Sequence, residues 1–234
     1  MVNFSIAEEN YIKSIYHLQH ANTLVTTNEL ATELKTKAAS VTDMLKKLKT
    51  KKLLHYEPYQ GFTLSDEGKK VALGIVRKHR LWEYFLVSKL GFGWHEVHDI
   101  AEELEHIRSH TLIKKLDAYL SFPRFDPHGD PIPDINGKME VTKQICLTDL
   151  KLHQKAEVSA VGSQSSELLE LLRHKNIVIG TILEVVKKFD FDNSIEIRIK
   201  ETPPFSISYQ LSQNLFVKPL YGPLPERNIS KRST

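Results

Sequence analysis

Residues 24–54, LVTTNELATELKTKAASVTDMLKKLKTKKLL, change character in an order that few folds accommodate. Leu30, Ala31 and Leu34 form the buried face of a short helix that Thr27 or Asn28 can cap. A polar turn at 35–37 follows. Val41, Met44, Leu45 and Leu48 then recur at helical spacing, leaving Ser40, Thr42, Asp43, Lys46, Lys47 and Lys49 on the other faces of a second helix. Upstream, Ile6, Tyr11, Ile12, Ile15, Tyr16 and Leu18 predict a helix over 5–20, with Ser5 and Glu8 spaced as a capping box. Downstream, LLHYEPYQGFTLSDEGKK predicts two short strands around a turn at 58–61 and a new helix starting near Ser65 or Asp66. Helix, helix, turn, helix, hairpin is the order of a winged helix-turn-helix.

The remaining chain divides into a helical and a β-rich part. Residues 66–90 read as one long amphipathic helix interrupted in pattern by Gly74, followed by helices over about 96–109 and 110–121 and a Pro-rich loop, FPRFDPHGDPIPDINGK. From 146 to 220 come short β-branched runs, AEVSAV, TILEVVKK, SIEIRIK and FSISYQ, with one helical piece, SSELLELLRHK. That pattern predicts a small, mostly β barrel. The expected fold is therefore mainly α with a small β component. Its expected divisions are a DNA-binding domain over 1–74, a helical domain over 75–140, a β-barrel domain over 146–221 and a disordered tail over 222–234.

Charge is distributed unevenly over these parts. Residues 1–80 hold 13 Lys and Arg against 8 Asp and Glu, whereas residues 81–140 hold 6 against 11. The first part suits a polyanion and the second a cation. The single cysteine, Cys146, rules out an internal disulfide, and no leader-like or membrane-spanning run is evident, so a cytoplasmic location and no membrane partner are expected.

Between 35 and 52 there are seven lysines and one acid, Asp43. A helix so charged fits a major groove of double-stranded DNA, its early residues reaching base edges and its lysines reaching phosphates. The candidate DNA contacts are Thr27, Lys37, Ala38, Ala39, Ser40, Thr42, Asp43, Lys46 and Lys47, with Tyr59 and Gln60 at the hairpin tip. Lysines also populate solvated helices, but here they coincide with the turn, the small residues and the wing.

The stretch VHDIAEELEHIRSH, residues 97–110, gathers four carboxylates and three imidazoles. At 100° per residue His98, Glu102, Glu105 and His106 share one face beside an apolar seam. The preceding helix supplies His79 and Glu83, four apart, so two imidazole and carboxylate sets can meet across a helix interface and hold a divalent transition metal. Without a cation, Glu83, Glu102 and Glu105 are expected to repel. A solvated face of ion pairs is the competing account. A catalytic metal is disfavoured: HEVH at 95–98 misses the HExxH spacing, and no nucleophile elbow, P-loop or dinucleotide fingerprint is present. The chain is therefore expected not to be an enzyme. A metal-storage protein or metal-dependent enzyme carrying a helix-turn-helix is the alternative.

RKHRLWEYFL, then EVHDIAEELEHIRSH, then DPHGDPIP, closely resemble the diphtheria toxin repressor family of metal-dependent repressors, including its manganese transport regulators, over residues 4–136. The segment from LTDLKLHQKAEVSAV onward resembles the SH3-like domain of its longer members. The resemblance implies a homodimer on an inverted-repeat operator, with the helices of 90–121 as the dimer seam. It implies one metal site at His79, Glu83 and His98 and a neighbouring site at Glu102, Glu105 and His106, completed from the first helix by position 10. Asn10 departs from the Met of iron-type and the Asp of manganese-type members, and Lys13 stands where short manganese-type members have another glutamate. Glu102 replaces the Cys of iron-type members, which favours Mn2+, with Fe2+ second. Asp126 lies where some members place a further ligand, and Gln164 and Glu167 align with residues that reach back to the His79 site in iron-type members.

Overall fold

In a computed structural model of the chain, residues 4–19, 24–57 and 60–220 are described. The chain splits into two compact units, 1–141 and 142–234. Tyr59 and the expected disordered tail lie outside the described residues.

The first unit contains α1 (Ile6–Leu18), α2 (Thr27–Glu33), α3 (Ala38–Thr50), the hairpin β1 (Leu54–Glu57) and β2 (Gly61–Leu64), α4 (Asp66–Leu90), α5 (Val97–Leu104) and α6 (His110–Tyr119). Ser5 and Glu8 make both hydrogen bonds of the capping box that starts α1. The cap of α2 is Thr26, one or two residues earlier than the Thr27 or Asn28 expected, because Thr26 and Glu29 form a second reciprocal pair. Lys35, with φ 48°, makes the sharp turn between α2 and α3.

Ile12, Ile15, Leu30, Val41, Leu48, Phe62 and Leu64 are fully or almost fully buried and pack in one core beneath the three helices and the wing. The winged helix-turn-helix follows from that core: each helix is too short to persist alone, and burying its apolar stripe holds it in place. Gly68 sits where a Cβ would lie 2.2 Å from the Leu53 carbonyl oxygen, which lets the first turn of α4 pack against the wing.

The Ser65 hydroxyl accepts from the Gly68 amide at the start of α4, and Gly91, with φ 76°, ends it. The helix continues unbroken through position 74, so one α-helix spans the expected division between 74 and 75. It carries Leu81 and Trp82 into a second core with Ala101, Leu116, Leu120 and Ile132. Arg77 fastens this region, donating at 2.6 Å to Asp117 of α6 and at 2.6 Å to the Pro133 carbonyl. Helix α5 stops at Leu104, five residues short of the expected end, because Ser109 caps α6 and the chain must leave the helical path to start it.

The second unit comprises β3 (Ile145–Cys146), β4 (Lys155–Val161), α7 (Ser166–His174), β5 (Ile182–Lys188), β6 (Ile195–Ile199), β7 (Phe205–Ile207), α8 (Tyr209–Gln213) and β8 (Leu215–Pro219). Its antiparallel sheet has the order β3-β8-β4-β5-β6-β7. Among the described residues β3 and β7 do not pair, so the sheet is open where a closed barrel was expected. The two edge strands have two and three residues, too few to carry a closing ladder. The FSISYQ run is also not one strand: the Ser208 hydroxyl accepts from the Leu211 amide and turns the chain into α8.

Candidate metal centre and nucleic-acid interface

The helical period of α4 puts His79 and Glu83 on one face, four residues apart, and the first turn of α5 brings His98 to them. His79 Nε2 donates to Glu83 Oε1 at 3.0 Å, and His79 Nδ1 donates to Glu105 Oε2 at 2.7 Å. Burial alone lowers the His79 pKa, but the two carboxylate bonds outweigh it and raise the value to about 9. His98 Nδ1 lies 3.6 Å from Glu83 Oε1. Ligand atoms of His79, Glu83 and His98 all fall within 4.8 Å of one another.

Glu83 is fully buried and faces a second group with its other oxygen. Oε2 lies 3.6 Å from His128 Nδ1, and Glu83, Asp126 and His128 again offer ligand atoms within 4.8 Å of one another. His128 is held from behind: its Nε2 donates to the Trp94 carbonyl at 2.8 Å, and its ring stacks on Trp94 with centroids 6.0 Å apart. Asp126 is held by its Oδ1, which accepts from the His128 and Asp130 amides at 2.8 and 2.9 Å.

Glu83 Oε2, Asp126 Oδ2 and His128 Nδ1 are buried without a hydrogen-bond partner, and the one charged neighbour of Asp126 Oδ2 among the described ion pairs is Arg80 Nε at 3.5 Å. Three such atoms converging on one point are costly unless a cation gathers them, so these residues fit a divalent metal. The electrostatics agree. Burial opposes the charge on Glu83, yet His128, His79 and His98 hold its carboxyl well below the usual range. Burial and the neighbouring Asp130 and Glu83 charges push Asp126 up to about 7, against the pull of His128 and Arg80.

Glu102, Glu105 and His106 form a differently satisfied cluster at the end of α5. Glu105 and His106 lie in the turn after the helix rather than on it. Lys13 of α1 places its ammonium 3.1 Å from Glu102 Oε1, 2.8 Å from Glu105 Oε1 and 2.9 Å from Glu105 Oε2. His106 Nδ1 donates to Glu9 Oε2, also of α1, at 2.6 Å, and His106 Nε2 lies 3.9 Å from Glu105 Oε1. The expected repulsion among Glu83, Glu102 and Glu105 is therefore offset by cations already present, His79 and Lys13. The contacts that α1 makes with this cluster among the described residues come from Glu9 and Lys13. Asn10 is half-buried on the same helix.

His79, Glu83 and His98 thus come together as expected, and Asp126 joins them through Glu83. Glu105 touches His79 and so links two clusters that the sequence kept apart. Gln164 immediately precedes the cap of α7, and Glu167 is exposed in its first turn. His128, Glu9 and the role of Lys13 were not read from the sequence. His128 stood in the quoted DPHGDPIP, but a loop has no period that would aim its ring.

Lys37, at the N-cap position of α3, and Ala38, Ala39, Ser40, Thr42, Asp43, Lys46 and Lys47 along the helix are all exposed, with Thr27 half-buried at the start of α2 and Gln60 exposed at the wing. No side chain caps α3, so its first amides remain available to a phosphate. Some of these residues are partnered among themselves: Thr42 donates to the Ala38 carbonyl at 3.0 Å, and Lys46 pairs with Asp43 at 3.1 Å.

A winged helix-turn-helix joined through one long helix to buried imidazole and carboxylate clusters defines a metal-responsive DNA-binding regulator. Family comparisons agree: residues 3–62 match the N-terminal DNA-binding domain of the iron-dependent repressors, residues 65–134 their metal-binding and dimerisation domain, and residues 145–219 the FeoA domain. The chain resembles a manganese-dependent transcriptional repressor solved in complex with manganese, at 31% identity and TM-score 0.81, over 91% of this chain and 100% of that one. It also resembles ScaR with bound Cd2+, at 29% identity and TM-score 0.75, over 91% and 99% of the two chains. The diphtheria toxin repressor of Corynebacterium efficiens is 28% identical over 82% of this chain and 79% of that protein. The chain belongs to the diphtheria toxin repressor family of metal-dependent transcriptional repressors. It is a regulator of that class rather than an enzyme. Among the described residues no helix is long and apolar enough to cross a membrane.

Proposed function

We propose that the chain represses metal-uptake genes as a homodimer, binding inverted-repeat operators with Mn2+ as corepressor and Fe2+ second. The observation that carries this reading is the ligand set around Glu83, imidazole nitrogens and carboxylate oxygens with an aspartate at 126, which suits a hard cation; the glutamate at 102 is a further oxygen donor in the sequence. His79, Glu83, His98, Asp126 and His128 would hold metal around Glu83. Glu102, Glu105 and His106 would hold it at the end of α5, with Asn10 the candidate from α1. A divalent ion supplies there the positive charge that keeps several carboxylates close.

The chain's own residues do the coupling. Lys13 and Glu9 bind α1 to the α5 cluster, so a change in the charge on that cluster is felt by a helix of the DNA-binding core. With metal held there, both α3 helices of the dimer would meet successive half-sites, a population shift needing only that the ion prefer that state. The manganese-loaded relative and the FeoA-matched second unit support the family-level part of this reading.

Fluorescence anisotropy on inverted-repeat DNA and on fragments upstream of metal-transporter genes tests it, with Mn2+, anaerobic Fe2+ and Zn2+ added after chelation. Binding that appears only with metal, and at the lowest concentration with Mn2+, is expected. Equal operator binding in excess chelator would show that the clusters are structural ion pairs only.

A further inference from the structure

We propose that Glu9 is a positioning residue of the α5 metal cluster: its carboxylate holds the back of the His106 ring so that Nε2 is presented to the ion shared with Glu102 and Glu105. This rests on the reading of Glu102, Glu105 and His106 as a metal site. A carboxylate only accepts, so the 2.6 Å contact places the hydrogen on Nδ1 and leaves Nε2 of the neutral ring with its lone pair. Nε2 is the atom that points at the cluster, 3.9 Å from Glu105 Oε1. The same oxygen lies 2.8 Å from Lys13, so Nε2 faces the point where a cation already balances these carboxylates.

The contact is well enclosed, with the His106 and Glu9 side chains 11% and 13% exposed. It is also selective. The neighbouring Glu8 turns to Ser5 and Lys51, whereas Glu9 stands one helical turn before Lys13, so the two reach α5 side by side. A carboxylate behind a ligating imidazole fixes its tautomer and raises its basicity, and losing it costs about 10- to 100-fold in metal affinity. Through Glu9 the first helix of the DNA-binding core grips the metal centre by an imidazole that is itself a ligand.

The test uses the full chain carrying His98→Ala and His128→Ala, which disable the clusters around Glu83, and titrates Mn2+ against a fluorescent chelator. Adding Glu9→Ala is expected to weaken Mn2+ by about 10- to 100-fold, while Glu9→Gln, whose amide oxygen still accepts from Nδ1, retains most of the affinity. In the otherwise unaltered chain, nitrogen NMR with isotopically enriched Cd2+ as a diamagnetic probe is expected to show metal coupling on His106 Nε2. This second readout stands even if Glu9→Ala fails to fold. Unchanged or tighter Mn2+ binding in Glu9→Ala would mean that Glu9 competes with the ion for His106, and coupling on Nδ1 would also overturn the proposal. If His106→Ala leaves Mn2+ binding intact as well, the metal-site reading falls together with it; a loss in His106→Ala alone removes only Glu9.

Discussion

The two clusters on either side of His79 use the same residue types but differ in what satisfies them. Around Glu83, three buried ligand atoms have no hydrogen-bond partner, and backbone groups hold His128 and Asp126 in place. At the end of α5, Lys13 neutralises Glu102 and Glu105, and Glu9 engages His106. Around Glu83 the resident cations are His79 and, 3.5 Å from Asp126 Oδ2, Arg80, whereas at the end of α5 the resident cation is the Lys13 ammonium. Since that ammonium belongs to α1, the proposed function makes the second cluster the one whose loading would be felt by the DNA-binding core. Glu105 bonds to both Lys13 and His79 and so joins the two.

The largest effect is expected at that joint. Glu105→Ala removes a fully buried carboxylate from His79 and Lys13, and breaking such a pair costs about 3–5 kcal/mol. Thermal melting should show that loss, and metal-dependent operator binding should disappear. A variant with wild-type melting and response would mean that the clusters are independent.

Glu83→Gln separates the clusters more cleanly. Mn2+ binding around His79, His98 and His128 should weaken by more than about 100-fold, because losing a ligand exceeds losing the group that orients one. Equilibrium dialysis should find fewer ions per chain while the α5 cluster still titrates. Full stoichiometry at wild-type affinity would exclude Glu83 as a shared ligand.

Lys13→Gln should act in the opposite direction, tightening Mn2+ at the α5 cluster by about tenfold, the equivalent of ~1.4 kcal/mol. Chelator competition reads the change, and the cluster around Glu83 should not respond. Weaker binding would show that Lys13 supports the site and does not compete for it. The smallest effect belongs to the exposed Lys46, whose partner Asp43 is equally exposed. Lys46→Ala should reduce affinity evenly across DNA sequences and flatten the slope of log affinity against log salt by about 1. An unchanged slope would place Lys46 away from phosphate.

Local chemistry made much of the fold legible. The caps at Ser5 and Ser65, the span of α4 and the exposed face of α3 follow from spacings of three and four residues. The pairing of His79 with Glu83 was legible for the same reason. Boundaries that depend on competition were not. The end of α5 is set by the cap of the next helix, and the shift to Thr26 depends on which threonine completes a reciprocal pair. In the second unit the short edge strands leave open a sheet that alternation alone would close, and Ser208 diverts a strand-like run into α8.

By itself the sequence determined a basic helix-turn-helix, an acidic helical partner and most of the ligand types, because a helix repeats every 3.6 residues and brings near neighbours onto one face. Tertiary structure alone decided which distant residues meet. Glu105 reaches His79 across 26 positions, Lys13 reaches Glu102 across 89, and His106 reaches Glu9 across 97. No period relates residues so far apart. Their contacts exist because burying the apolar stripes of α1, α4 and α5 sets those helices side by side, and the polar atoms carried on them then balance one another's charge.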